Sequence, residues 1–157
     1  MTSPLLKRIV LVFVIVVGGI QFYRPDRTNP PADPARSLNA NATVPAAVAS
    51  VLTRSCYDCH SSETRWPWYS ATVPMGWGVA NHVTEGRSHV NFSEWGAYPA
   101  KKRVGILEKM CDEVREGGMP LKQYLWLHRD ARLSEADWKS VCDWSMDEAD
   151  RLGGRQP

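Results

Sequence analysis

Cys56-Tyr57-Asp58-Cys59-His60 is a stretch of this 157-residue chain in which residue types and spacing together dictate a chemistry. Two thiols three positions apart on a helical turn can reach the vinyl groups on neighbouring pyrroles of a haem and add across them as thioethers. The next residue then lies beneath the iron, where an imidazole is a ready proximal ligand. Two other chemistries use paired cysteines. A thioredoxin-like dithiol needs a strand before the motif and a helix that starts at its first cysteine. Here helical spacing precedes the motif, and no βαβ pattern is present. A zinc site needs a second ligand pair, whereas Cys111 and Cys142 stand 31 positions apart, each alone on an apolar helix face. The expectation is one covalent haem c per chain, held by Cys56 and Cys59 with His60 on the iron.

The sixth iron position decides the chemistry, and Met75, Met110, Met119, Met146, His82, His89 and His128 compete for it. Met119 follows Gly117-Gly118 and precedes Pro120. Glycines let a backbone approach a flat cofactor, and proline stiffens the loop that presents the sulfur. Met110 and Met146 fall within helical patterns and read as core filling. Met119 is therefore the expected ligand, with His89 and His128 as rivals; a His/His pair would lower the reduction potential. Trp66-Pro67-Trp68-Tyr69 follows the motif, while Tyr124 and Trp126 follow Met119. Trp66, Trp68 and Tyr124 are expected against the macrocycle, where indole N–H and phenol O–H can reach propionates.

Positioning these residues calls for helices. Val48, Val51, Leu52 and Ser55 fall at helical spacing after Pro45, in a helix that runs into the motif. A Ser/Thr/Pro-rich loop covers 61–74, with a short helix about 76–84. Val104, Leu107, Cys111 and Val114 mark a helix over 102–116, stopped at Gly117-Gly118. Ser134 and Asp137 form a capping pair for a last helix over 134–152, whose inner face holds Trp138, Val141, Cys142, Ser145, Ala149 and Leu152. No segment alternates as a strand. The class is all-α with long ordered loops. Cys111 and Cys142 are left open, as a bridge between the last two helices or as two buried thiols.

Ahead of this domain, Lys7-Arg8 precedes an unbroken apolar run from Ile9 to Ile20. Twelve residues suit a signal-peptide core better than a span, which needs about 20. Yet no small-residue cleavage site follows, and Leu5 through Tyr23 supplies 19 positions with flanking charges and aromatics. The expected organisation is a membrane anchor over 1–23, a Pro-rich spacer over 24–45, the haem domain over 46–152 and a tail over 153–157. Lys7 and Arg8 would keep the N-terminus cytoplasmic, in a single-pass inner-membrane protein with its C-terminal domain in the periplasm.

Charge excludes one class of partner. The formal total of +2 arises from Lys7, Arg8, Arg24, Arg27 and Arg36 against Asp26 and Asp33 near the N-terminus. Residues 46–157 carry 14 basic and 15 acidic side chains, so the domain has no electrostatic footprint for nucleic acid. Seven tryptophans between Trp66 and Trp144 exclude a disordered chain.

From about Ile20 onward the chain resembles the bacterial haem-binding domain family, small membrane-anchored proteins with a single Cys-x-x-Cys-His. The likeness runs through Gln21-Phe22, residues 24–31, Ser55–Ser61, Glu63–Ser70, Glu85-Gly86-Arg87, Asn91–Trp95, Met119-Pro120, Tyr124, His128, Leu133-Ser134 and Trp144. It implies covalent haem through Cys56 and Cys59, His60 as proximal ligand and a cytochrome-c-like helical fold. Cys111 and Cys142 lie outside it. The expected function is one-electron transfer in the periplasm, with periplasmic or membrane redox proteins as partners and no substrate transformed. The alternative is a haem-based sensor or small peroxidase with an exchangeable sixth ligand.

Overall fold

A computed structural model describes residues 3–153. Most of the expected 153–157 tail lies outside the described residues. The described chain is all helical, with helices α1 (Pro4–Ile20), α2 (Leu38–Asn41), α3 (Ala46–Ser55), α4 (Tyr57–His60), α5 (Met75–His89), α6 (Ala100–Arg115) and α7 (Glu135–Gly153). Short 3-10 turns at Pro34–Arg36, Trp68–Ala71, Phe92–Ala97, Tyr124–Trp126 and Arg129–Ala131 shape the loops.

α6 and α7 form the principal helix pair, and a disulfide joins Cys111 to Cys142 with Cα atoms 4.3 Å apart. The start of α7 is fixed by reciprocal capping: the Asp137 N–H donates to Ser134 Oγ at 3.1 Å, and the Ser134 N–H donates to Asp137 Oδ2 at 2.8 Å. An aspartate thus fills the role usually given to glutamate in a capping box. α3 lies against α7, and Arg54 on its last turn pairs with Asp137 at 2.7 Å. Val48, Val51 and Leu52 of α3, Leu107 and Val114 of α6, and Val141 and Trp144 of α7 close one apolar core. Leu52, Leu107 and Val141 are almost fully buried. Each such side chain contributes roughly 1.5–3 kcal/mol of burial free energy.

The N-terminal expectations are corrected. α1 has 17 residues, about 25 Å of helix against a hydrocarbon core of about 30 Å. Lys7 and Arg8 lie inside it, leaving only the run from Ile9 to Ile20 apolar. No helix among the described residues is long and apolar enough to cross a membrane, so the transmembrane helix and the single-pass inner-membrane localisation are not supported. The span cannot be extended through Tyr23 because the chain is tied to the domain at once. The Gln21 side chain accepts from the Val73 N–H and donates to the Val73 carbonyl, both at 3.0 Å.

Residues 24–45, the expected spacer, make contacts with the domain. Asn29 Nδ2 donates to the Thr64 carbonyl at 2.9 Å, and Asn29 Oδ1 accepts from Arg87 at 2.8 Å. Leu38, on α2, is completely buried in the core beside the Phe92–Ala97 turn. A few well-placed polar anchors and one leucine hold this segment down. Composition averaged over 22 prolines, alanines, asparagines and their neighbours conceals such anchors.

Candidate functional site

α3 ends in the motif. The Cys56 N–H donates to the Leu52 carbonyl, closing α3, and the His60 N–H donates to the Cys56 carbonyl at 2.9 Å, forming α4. Cys56 and Cys59 are unbridged and half-buried. Burial pushes the thiol of Cys56 up to about 12 and that of Cys59 to about 11, so both are neutral thiols at physiological pH. Burial also lowers the pKa of His60, outweighing its hydrogen bonds to Val90 and Gly86.

His60 Nδ1 lies 2.9 Å from the Gly86 carbonyl and 3.3 Å from that of Val90. Carbonyls only accept, so Nδ1 carries the proton and the lone pair belongs to Nε2. A ring whose far nitrogen is anchored in this way is oriented for metal binding. The anchor exists because α5 crosses α4 in close contact. A Cβ on Gly86 would stand 2.6 Å from the Cys59 carbonyl oxygen, which only glycine avoids.

Asp58, between the two cysteines, is buried and braces the turn. It accepts from Arg65 Nε at 3.0 Å and from the Tyr124 hydroxyl at 2.9 Å. Desolvation, then the charge of Asp58, raises the pKa of Tyr124, keeping its proton in that hydrogen bond. Arg87 completes the frame, donating to the Ser61 carbonyl at 2.8 Å and to Thr64 Oγ1 at 2.9 Å. Burial lowers the Arg87 pKa.

Two of the cavities that adjoin the motif, of about 230 and 180 Å³, are lined by both His60 and Met119. Cys56 faces the first, with Val90, Phe92, Ile106 and Met110 as apolar wall; Cys59 faces the second, with Asp58 and Tyr124. Met119 reaches this place through the end of α6. Gly117 takes φ +71°, and the Met119 N–H donates back to the Glu113 carbonyl at 3.1 Å. A left-handed residue after a helix is the usual glycine stop.

The expected residues therefore divide. Cys56, Cys59, His60, Met119 and Tyr124 come together. Trp68 does not, being 83% exposed. Trp66 is half-buried with its indole N–H enclosed and without a partner, and it lines neither cavity. Among the rivals, His128 is engaged elsewhere: its Nε2 lies 2.8 Å from the Tyr69 hydroxyl and its ring stacks on Tyr124 at 4.1 Å. His89 lines both cavities beside Met119. Sequence reasoning missed Asp58, Gly86 and Ser55 as parts of the site. Only their position in or next to the motif, or in the resemblance, could have flagged them.

The residues fit a haem. Neutral thiols, a neutral imidazole with one free nitrogen and a thioether are its donor set, and the wall beside Cys56 is apolar. Ser55 lines both cavities, and its buried hydroxyl has no partner among the described residues, leaving a polar group for a ligand to satisfy.

The Haem-binding domain family model matches residues 15–147. The chain belongs to this family. The match begins within α1 and ends within α7, so the segment 24–45 falls inside the Haem-binding domain along with the motif and Met119. Neither the comparison with curated proteins nor that with solved structures gave a match.

Proposed function

We propose that this Haem-binding domain holds one haem c covalently through Cys56 and Cys59 and carries single electrons between redox proteins, transforming no substrate. His60 Nε2 and the Met119 sulfur would hold the haem iron. When bound, the haem supplies an iron that cycles between ferrous and ferric. The observation that carries the reading is the anchored His60 ring, its Nδ1 proton on Gly86 and its other nitrogen free, on cavities shared with Met119.

The protein's own part is to hold these ligands still. The Gly86 carbonyl fixes the imidazole, Asp58 with Arg65 and Tyr124 fixes the motif turn, and Gly117 fixes the methionine loop. Val90, Phe92, Ile106 and Met110 keep water from one side of the site. Ligands held in one geometry at both charges of the iron suit electron transfer. The Cys111–Cys142 disulfide favours an oxidising compartment as the place of work.

The position of His89 on the same cavities favours a second reading, a sensor or small peroxidase in which the sixth ligand exchanges. Two measurements separate the readings. Haem that survives denaturing electrophoresis in the wild type and is weakened in Cys56→Ser establishes thioether attachment; loss of haem from the wild type overturns it. Carbon monoxide is expected to bind the reduced holoprotein poorly, and rapid stoichiometric binding would establish the exchangeable site instead.

A further inference from the structure

Trp68, Trp126 and Leu127 are 83%, 77% and 56% exposed, and none belongs to the core. Large apolar side chains left in water beside a functional site mark a surface that something covers. They flank a chain of rings that leads inward. Trp68 meets Tyr69 edge-on at 5.9 Å, and the Tyr69 hydroxyl hydrogen-bonds His128 at 2.8 Å. The His128 ring stacks on Tyr124 at 4.1 Å, and the Tyr124 hydroxyl donates to Asp58, the neighbour of Cys59. Tyr69, Tyr124, His128 and Cys59 line one further cavity of about 190 Å³.

The segment that carries Trp126 and Leu127 differs in charge from the rest of residues 46–157. Residues 118–132 hold Lys122, Arg129 and Arg132 against Asp130 alone. The remainder of residues 46–157 holds 11 basic side chains against 14 acidic. An aromatic face with a basic rim complements a partner with an apolar face and an acidic rim. A second copy of this chain would bring the same positive rim against itself.

We infer that Trp68, Trp126 and Leu127, rimmed by Lys122, Arg129 and Arg132, form the docking surface for an acidic one-electron-transfer protein. The ring chain from Trp68 to Tyr124 leads from that surface to the Cys59 side of the site. The inference rests on the electron-carrier reading above. A docked acceptor takes one electron and its centre is reduced as the iron passes from ferrous to ferric; no bond forms and no proton moves.

The test uses holoprotein and an acidic plastocyanin as probe, with the basic mitochondrial cytochrome c as control. The rate constant for reduction of plastocyanin is expected to fall as salt is raised, because opposite charges attract less when screened. Lys122→Glu/Arg129→Glu is expected to slow it at least 10-fold at low salt and Trp126→Ser several-fold, with the haem spectrum unchanged. Reduction of cytochrome c is expected to show neither the fall with salt nor the loss in the charge variant. In parallel, cadmium-substituted plastocyanin, which carries no electron, is expected to shift amide resonances within 122–132 of the holoprotein. Electron flow that ignores both variants, or shifts that map elsewhere, overturns the surface. Shifts at 122–132 that follow the protein's own concentration rather than plastocyanin assign the face to a second copy and also overturn it. A holoprotein that reduces neither probe refutes the electron-carrier reading, while the shift map still decides whether the surface binds an acidic protein.

Discussion

Met119 and His89 line the same cavities, yet they differ in what holds them. Met119 is delivered by a glycine stop and a backbone hydrogen bond to Glu113, whereas His89 sits exposed on the last turn of α5. Met119→Ala is therefore expected to abolish the weak far-red sulfur-to-iron band of the ferric protein, and His89→Ala to leave it intact. A band that survives in Met119→Ala assigns the sixth position to another residue. Asp58 acts through its neighbours, satisfying Arg65 and Tyr124. Asp58→Ala leaves the half-buried Tyr124 hydroxyl without its acceptor, a loss of about 1 kcal/mol. It is expected as a lower urea midpoint and a reduced yield of haem-loaded protein.

At the scale of elements, the crossing of α5 over α4 is the contact on which the site depends. Gly86→Ala pushes a methyl group against the Cys59 carbonyl and must separate the two helices, weakening the His60 anchor. Overpacking of this kind costs about 1–3 kcal/mol. A Gly86→Ala protein that loads haem and melts like the wild type would remove this contact from the account. The start of α7 carries a pH dependence. Hydrogen bonds from the Ser134 N–H and hydroxyl, then the interaction with Arg54, hold the Asp137 carboxyl below the usual carboxylate value. A depressed folded-state pKa adds stability above the unfolded value, about pH 4, and loses it as pH falls through the folded value. Asp137→Ala is expected to lose about 1 kcal/mol at neutral pH, with the gap to wild type narrowing below about pH 4 in denaturant titrations.

For the molecule as a whole, the Cys111–Cys142 bridge ties α6, whose Ile106, Met110 and Val114 wall one cavity, to α7. The loop it closes spans 31 positions, for which chain-entropy reasoning gives about 3–4 kcal/mol of stabilisation. A Cys111→Ala/Cys142→Ala protein is expected to lose that unfolding free energy, read as a lower denaturant midpoint, while haem stays attached through Cys56 and Cys59. An unchanged midpoint would mean that the bridge contributes nothing to global stability.

Much of the domain was legible in order along the chain. The α3 stripe, the motif at its end, the Gly117-Gly118 stop and the Ser134–Asp137 cap are local patterns. Periodicity and capping act within a few residues, so the sequence alone specified them. The spacing of Cys56, Cys59 and His60, on which the proposed haem attachment rests, was legible for the same reason. What lies between distant segments was not. Gly86 passing over Cys59, Tyr124 reaching Asp58, Leu38 entering the core and Trp68 standing in water depend on how the chain folds back, which no local spacing encodes. The N-terminal reading failed on length for a related reason. An apolar run shows only that a helix avoids water, while the point where Gln21 is tied to Val73 fixes where the helix must end. Sequence determined the motif, the methionine loop and the helices that carry them, because those patterns are local; tertiary structure decided which residues brace them and which side chains stay in water, because those depend on contacts between distant segments.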